Sequence, residues 1–495
     1  MSVIEEKYSE NGLLTTKNLL ILISSVVLAI CYDHLMIQPV VAVSYPIFVM
    51  VMLATVYGNS SALLIKKPTF GWFLIIPLIS LALTRFFFGN TVLHTLNSII
   101  IPALFVAHIL LITENNRHEW FYFSFLKDIV CGLIIRPLQY VKCPILLILN
   151  AARQDSEVGS HSVIRKVFLG LFFSLPILIV AIMLLSSADQ VFSFLVSTLF
   201  SSISISEVVS HSLIIVSVTV LTYSFIWSLG KHRSVHQPNC EEPKKFDVII
   251  VISGLSAVTV VYLMFSIIQF SYLFGNISNQ LPDGLTFAEY ARKGFFELVV
   301  VALINICLVV GTINFTSISD VRLSKILKIL NSVLILSTFV ILLSAHYRMS
   351  LYEESYGYTY LRVFTHYFMA VVFTILIATL GKVWINSINL GKCYITIGII
   401  AYLLINYINV DVIIASKNLE RYYRTQMIDV DYMAGLSFDT VPYLVALLHA
   451  PDPKIEANAR KHVIQKKYHI ETPHSWQGYT LPEQRAKSVL REALL

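Results

Sequence analysis

The chain has 495 residues, of which 56% are apolar and only 13% charged, with a net charge of +6. Its mean hydropathy is +0.73. So few charges cannot coat a soluble globule, which excludes a cytosolic enzyme, a disordered chain and a disulfide scaffold, and defines a polytopic membrane protein.

The first 18 residues are polar, and the apolar stretch after them lacks a small-residue cleavage pattern, so it reads as a retained first span. Crossing the hydrocarbon core takes about 17 to 25 apolar residues. On that measure the predicted spans lie at 18–37, 40–57, 70–88, 92–113, 168–186, 208–229, 248–274, 294–313, 329–345, 364–383 and 393–408. Backbone amides left unpaired in lipid are costly, so the expected fold is all-α: a polytopic integral membrane helix bundle of about eleven transmembrane helices, with a small helical C-terminal tail outside the membrane. Segment 118–150 is interrupted by Lys127, Asp128, Arg136, Pro137, Lys142 and Pro144, and reads as helices lying in the interface.

Lys and Arg alternate between loops. The N-terminus and every second loop carry 20, whereas the intervening loops carry five: Arg85, Arg292, Lys293, Arg348 and Arg362. The bias places residues 1–17 and the 230–247 linker in the cytoplasm, and exports the tail, 409–495, from a cell membrane. Cys31 and Cys307 fall within spans, the other four cysteines fall on or near the cytoplasmic side, and no disulfide framework is suggested. The tail has 11 basic and 10 acidic residues, a balance that argues against nucleic acid. Helices are expected from Ser437 to 449, from Asp452-Pro453 to about Lys467, and from Thr480-Leu481-Pro482 to Leu494.

Polar residues gather at the exported ends of the spans. Tyr32-Asp33-His34 closes the first and Arg85 the third; Ser187-Ala188-Asp189 follows the fifth. Tyr290-Ala291-Arg292-Lys293 precedes the eighth, Arg348 to Arg362 follows the ninth, and Asn409-Val410-Asp411 follows the last. Four of the five outer basic residues are Arg, whose planar fork binds carboxylate or phosphate through two parallel hydrogen bonds. The expected substrate-binding residues are Asp33, Arg85, Asp189, Tyr290, Arg292, Arg348, Glu353, Glu354, Tyr356, Arg362, Asn409 and Asp411. The same residues also suit an ion-pair lattice pinning helix ends together.

Other polar residues have plainer readings. Glu297 lies one turn from Lys293, a structural partner. His94, His108 and His366 read as hydrogen-bonded packing residues. His232, His236 and Cys240 share a spacing of four, but Pro238 breaks that helix. No metal ligand set, cofactor fingerprint, phosphate loop or nucleophile elbow is present, so neither cofactor nor metal is expected.

Several of these pieces carry a family likeness: Tyr32-Asp33-His34-Leu35, Ser187-Ala188-Asp189, Tyr290 to Phe296, Tyr356-Gly357-Tyr358-Thr359 with Leu361-Arg362, Asn409 to Arg421 and Asp429 to Pro442. Through them the chain resembles a bacterial multi-pass family catalogued as domain of unknown function forty-one seventy-three, and its sister family. The resemblance implies a membrane location, and no catalytic role carries over from it.

Three functions fit these residues. The first is an enzyme or binder acting on an anionic or lipid-linked exported substrate at the outer face, with the bilayer as its partner. The second is a transporter or channel, given Pro77, Pro102, Pro176, Asn97 and Asn305 inside spans, though no paired half-repeats are found. The third is a sensory or scaffold module engaging a cytoplasmic protein through 114–167 and 230–247.

Overall fold

A computed structural model describes residues 15–60, 64, 68–153, 205–231, 246–274, 295–317, 320–472 and 475–493, with parts of 170–199. The expected span at 168–186 lies largely outside the described residues, as do Tyr290, Arg292, Lys293, His232, His236 and Cys240. The protein is an all-α polytopic membrane protein; its only described strands are the two-residue β1 (Phe246–Asp247) and β2 (Thr316–Ser317), paired in parallel.

The chain divides into two compact units. The first comprises Met1–Arg85, Asn97–His236 and His474–Tyr479. It contains α1 (Thr16–Met36), α2 (Ser44–Ser60), α3 (Phe70–Phe87, whose last two residues pass to the other unit), most of α4 (Thr91–Ile112), α5 (Phe125–Val130), α6 (Arg136–Gln139), α7 (Lys142–Arg153), α8 (Gln190–Leu199) and α9 (Ile205–Lys231). The second comprises Phe86–Leu96, Gln237–Pro473 and Thr480–Leu495. Its helices are α10 (Val248–Phe274), α11 (Phe295–Phe315), α12 (Val321–Tyr356), α13 (Tyr360–Trp384), α14 (Leu390–Tyr407), α15 (Val410–Thr425), α16 (Val430–Ala434), α17 (Val441–Ala446), α18 (Pro453–Glu471) and α19 (Leu481–Ala493).

Ten described helical segments are long and apolar enough to cross a membrane. Their outward faces show why. On α1, Leu20, Ile23, Val27 and Ile30 form an exposed apolar stripe at helical spacing, while Ile21, Ser25, Leu28 and Ala29 are buried. A helix apolar on both faces suits lipid on one side and protein on the other. Inside, polar side chains pair across helices: Asn305 Nδ2 donates to Thr338 at 2.9 Å, and Ser344 to Gln269 Oε1 at 2.6 Å. His108 reaches the Gly71 carbonyl through Nδ1 at 2.7 Å and Tyr57 through Nε2. A carbonyl only accepts, so Nδ1 carries the proton and Nε2 accepts from the phenol.

Two segments show features that the sequence did not suggest. The Phe125–Asn150 segment, read as helices in the interface, is also long and apolar enough to cross a membrane, by length and composition alone. The charges behind that expectation turn inward. Arg136 is 2% exposed and donates to the Asn115 carbonyl at 2.8 Å. Asp128 is 3% exposed and accepts from the Arg117 and His118 amides, both at 2.8 Å. The second is α12, predicted at 329–345 but 36 residues long. At 1.5 Å per residue it measures roughly 54 Å, well beyond the hydrocarbon core. Asp320 caps its start by accepting from the Arg322 amide at 2.8 Å. Its far end, read as loop, stays helical because Arg421 donates to the carbonyls of Glu354 and Ser355 at 2.8 and 2.6 Å. Terminal carbonyls met this way need no further partner.

The C-terminal helices build a core of their own. Val410, Ile414, Tyr422, Val430, Met433, Val441, Leu444, Leu447, Val463 and Leu490 are buried together, with Tyr358, Tyr360 and Phe364 packed against them. None of α15 to α19 is among the candidate spans. Asn409, Asp429 and Asp452 cap α15, α16 and α18 with side-chain oxygens. The 475–479 stretch belongs instead to the first unit, where the Ala42 amide donates to the Gln477 carbonyl at 2.9 Å.

Candidate functional site

Within the first unit, α1, α2, α4 and α9 line an open cavity of about 510 Å³. Its walls are largely apolar, with Leu28, Met36, Val49, Phe105, Val106 and Phe225 among them. Arg85, at the end of α3, is the cation on this wall, joined by Tyr32, Tyr45 and Ser98. The guanidinium donates to Ser98 Oγ at 2.7 Å and to the Val41 carbonyl at 3.5 Å, and stacks over the Tyr45 ring at 4.6 Å. One flat group thus meets a hydroxyl, a carbonyl and an aromatic face, an arrangement only arginine makes well. Asp33, next to Tyr32, pairs with His211 Nδ1 of α9 at 2.6 Å. Asp189 accepts from the Phe192 amide at 2.8 Å and caps α8.

The second unit gathers Glu353, Glu354, Arg348, Tyr356 and Arg362 around the turn between α12 and α13. Glu353 is buried, and its Oε2 meets His366 Nε2 at 3.0 Å. His366 Nδ1 in turn meets His346 Nδ1 at 2.7 Å. Arg348 donates to Gln269 Oε1 at 3.2 Å. Arg362, expected to pair with carboxylates, instead donates to the Gly357 carbonyl and covers the Tyr352 ring at 4.3 Å. Tyr356 is exposed and packs against Tyr352, and Glu354 is exposed with Arg424 3.9 Å away. The Tyr358 amide and carbonyl both pair with the Asn418 side chain, at 2.7 and 2.9 Å. Burial and the carboxylates around it push the Tyr358 phenol above its ordinary range.

Asp411 is fully buried. Its Oδ1 accepts from Asn90 Nδ2 at 2.8 Å and the Tyr360 hydroxyl at 2.5 Å, and its Oδ2 from the Ser437 amide at 3.1 Å. One carboxylate therefore ties the α3–α4 loop, the start of α13 and the C-terminal helices together. Beside it, the Gly89 amide donates to Asp439 Oδ2 at 3.3 Å. A Cβ at Gly89 would stand 2.7 Å from Ser437 Cβ, so the close approach needs glycine. Burial holds the Asp439 carboxyl above the usual carboxylate range and pushes the Lys466 ammonium down to about 8.

The predicted residues thus fall into separate groups within each unit. Sequence reasoning missed His211, Ser98, Asn90 and His346. His346 had a visible signal: it follows the apolar run of α12 directly and stands seven residues, two helical turns, before Glu353.

Many apolar faces, two bundles and a helical appendage define a multi-pass membrane protein. The family described as Domain of unknown function (DUF4153) matches residues 75–447, and the chain belongs to it. The match supports the expected membership of a family of unknown function, under a different number from forty-one seventy-three, which is not matched. No curated protein and no solved structure matches the chain.

Proposed function

We propose that the chain binds an anionic amphiphile, a carboxylate or phosphate head on an apolar tail, in the Arg85 cavity at the exported face of the cell membrane. The observation that carries this reading is the Arg85 guanidinium on the wall of a largely apolar cavity of about 510 Å³. That volume suits a small-molecule site. A small soluble anion would leave the apolar walls unfilled, and a neutral hydrocarbon would bring no charge to meet the cation. An amphiphile uses both, through charge-assisted bonds worth about 1.5–3 kcal/mol each.

Lipid retention tests it. Full-length protein is purified in mild detergent from vesicles of mixed phosphatidylglycerol and phosphatidylcholine, and the lipid still bound is counted by native mass spectrometry. Wild type is expected to retain phosphatidylglycerol, and Arg85→Gln roughly 10- to 100-fold less at an unchanged elution profile. Arg85→Lys should fall between them, because an ammonium lacks the fork. Equal retention of both lipids, or by wild type and Arg85→Gln, overturns the proposal.

The orientation rests on the 20-to-five basic bias. Single cysteines placed at Ser475 and Ser234 in a cysteine-free background read it on intact cells. Labelling at 475 and protection at 234 are expected, and the reverse pattern contradicts it.

A further inference from the structure

A second site in the other unit does not depend on the amphiphile. We infer that His346, His366 and Glu353 form a proton relay, carrying a proton from an exposed imidazole to a buried carboxylate. His346 is exposed, the His366 side chain is 19% exposed and that of Glu353 is 5% exposed. The chain of contacts runs inward in that order, at 2.7 and 3.0 Å.

The bonding pattern separates a proton from a metal ion. His366 offers opposite ring nitrogens to its two neighbours, Nδ1 to His346 and Nε2 to Glu353. No single ion can sit between both pairs. A proton can, because an imidazole bonded at both nitrogens accepts at one and releases from the other. The two facing Nδ1 atoms share one proton, so one ring donates and the other accepts.

The step balances in protons alone. A proton binds His346 Nε2, and the Nδ1 proton of His346 passes to His366 Nδ1. The proton on His366 Nε2 then passes to Glu353 Oε2. One proton enters, one carboxylate becomes a carboxylic acid, and only N–H and O–H bonds change. Glu353 Oε1 is buried with no hydrogen-bond partner among the described residues, so neutralising the group relieves an unsolvated charge.

The surroundings hold few competing groups. Tyr358 faces Glu353 from the turn, and on α13 Arg362 is engaged with Gly357 and Tyr352. Glu354 follows Glu353 at the end of α12, where Arg348 is bonded to Gln269 of α10, itself uncharged. The described part of α11 carries Glu297 and Cys307, and α15 carries Asp411, Lys417, Glu420, Arg421, Tyr422, Tyr423 and Arg424. Among the described residues, only His366 bonds directly to the Glu353 carboxylate.

The test uses full-length protein in lipid nanodiscs, dropped rapidly in pH and followed by the infrared carbonyl band of a protonated carboxyl. Wild type should gain a buried-carboxyl band that Glu353→Gln lacks. His346→Ala alters only the exposed end, so it should fold normally. It should slow the band's appearance on the order of a hundredfold, and added imidazole should restore the rate. His366→Gln keeps a polar side chain but passes no proton, so it should slow the band equally. An unchanged rate in His346→Ala, absence of imidazole rescue, or a band that persists in Glu353→Gln overturns the relay. None of these readouts involves Arg85, so failure here leaves the amphiphile reading standing, and the converse holds.

Discussion

Replacing Asp411 with alanine is expected to destabilise the second unit by about 3–9 kcal/mol, because three buried donors lose their acceptor at about 1–3 kcal/mol each. Asn90, Tyr360 and the Ser437 backbone each give Asp411 a hydrogen bond. The three come from separate stretches of chain, so the carboxylate fixes their mutual register and its loss is felt by all of them at once. Tyr360→Phe deletes one donor and should cost about 1 kcal/mol. Asp411→Asn should be intermediate, because an amide keeps one acceptor oxygen but turns an N–H toward another donor. The midpoint of unfolding in a graded detergent titration, read by aromatic fluorescence, ranks the three variants. Equal midpoints for wild type and Asp411→Ala would remove Asp411 from this role.

Gly357→Ala is the second large effect expected. Gly357 has φ +83° and ψ 174°, a region open essentially to glycine alone, so a side chain there costs roughly 1–3 kcal/mol in strain. A Cβ would also stand 2.7 Å from Asn418 Oδ1, the atom that accepts from the Tyr358 amide. Pushing that side chain away breaks both Tyr358 bonds, for a total of about 3–5 kcal/mol. The damage should spread, since Glu353 and His366 face each other across this turn. The same detergent titration measures it. A wild-type midpoint in Gly357→Ala would show that the turn relaxes freely.

Composition made most of the fold legible. Helices such as Thr16–Met36 and Val248–Phe274 are long apolar runs, and lipid leaves them one backbone solution. Where charges entered a helix, the sequence misled. Arg136 and Asp128 look like surface residues until the backbone carbonyl and amides that satisfy them are seen. The polar end of α12 looks like a loop because its stabilising partner, Arg421, lies 66 and 67 residues further along the chain. The same distance hid the site's organisation. Asp411 and Arg85 stood out as charges near span ends, but nothing local tells that one is enclosed by three donors and the other lines a cavity. His346 and Glu353 were readable as one helix face, had the segment been taken as helix.

The amphiphile reading is tested most directly by an electron-microscopy map of the full-length protein in phosphatidylglycerol nanodiscs. Lipid density is expected to fill the first unit's cavity, with its head group within hydrogen-bonding distance of the Arg85 guanidinium, and that head-group density is expected to be lost in Arg85→Gln. An empty cavity, or a lipid lying with its head group away from Arg85, would contradict it.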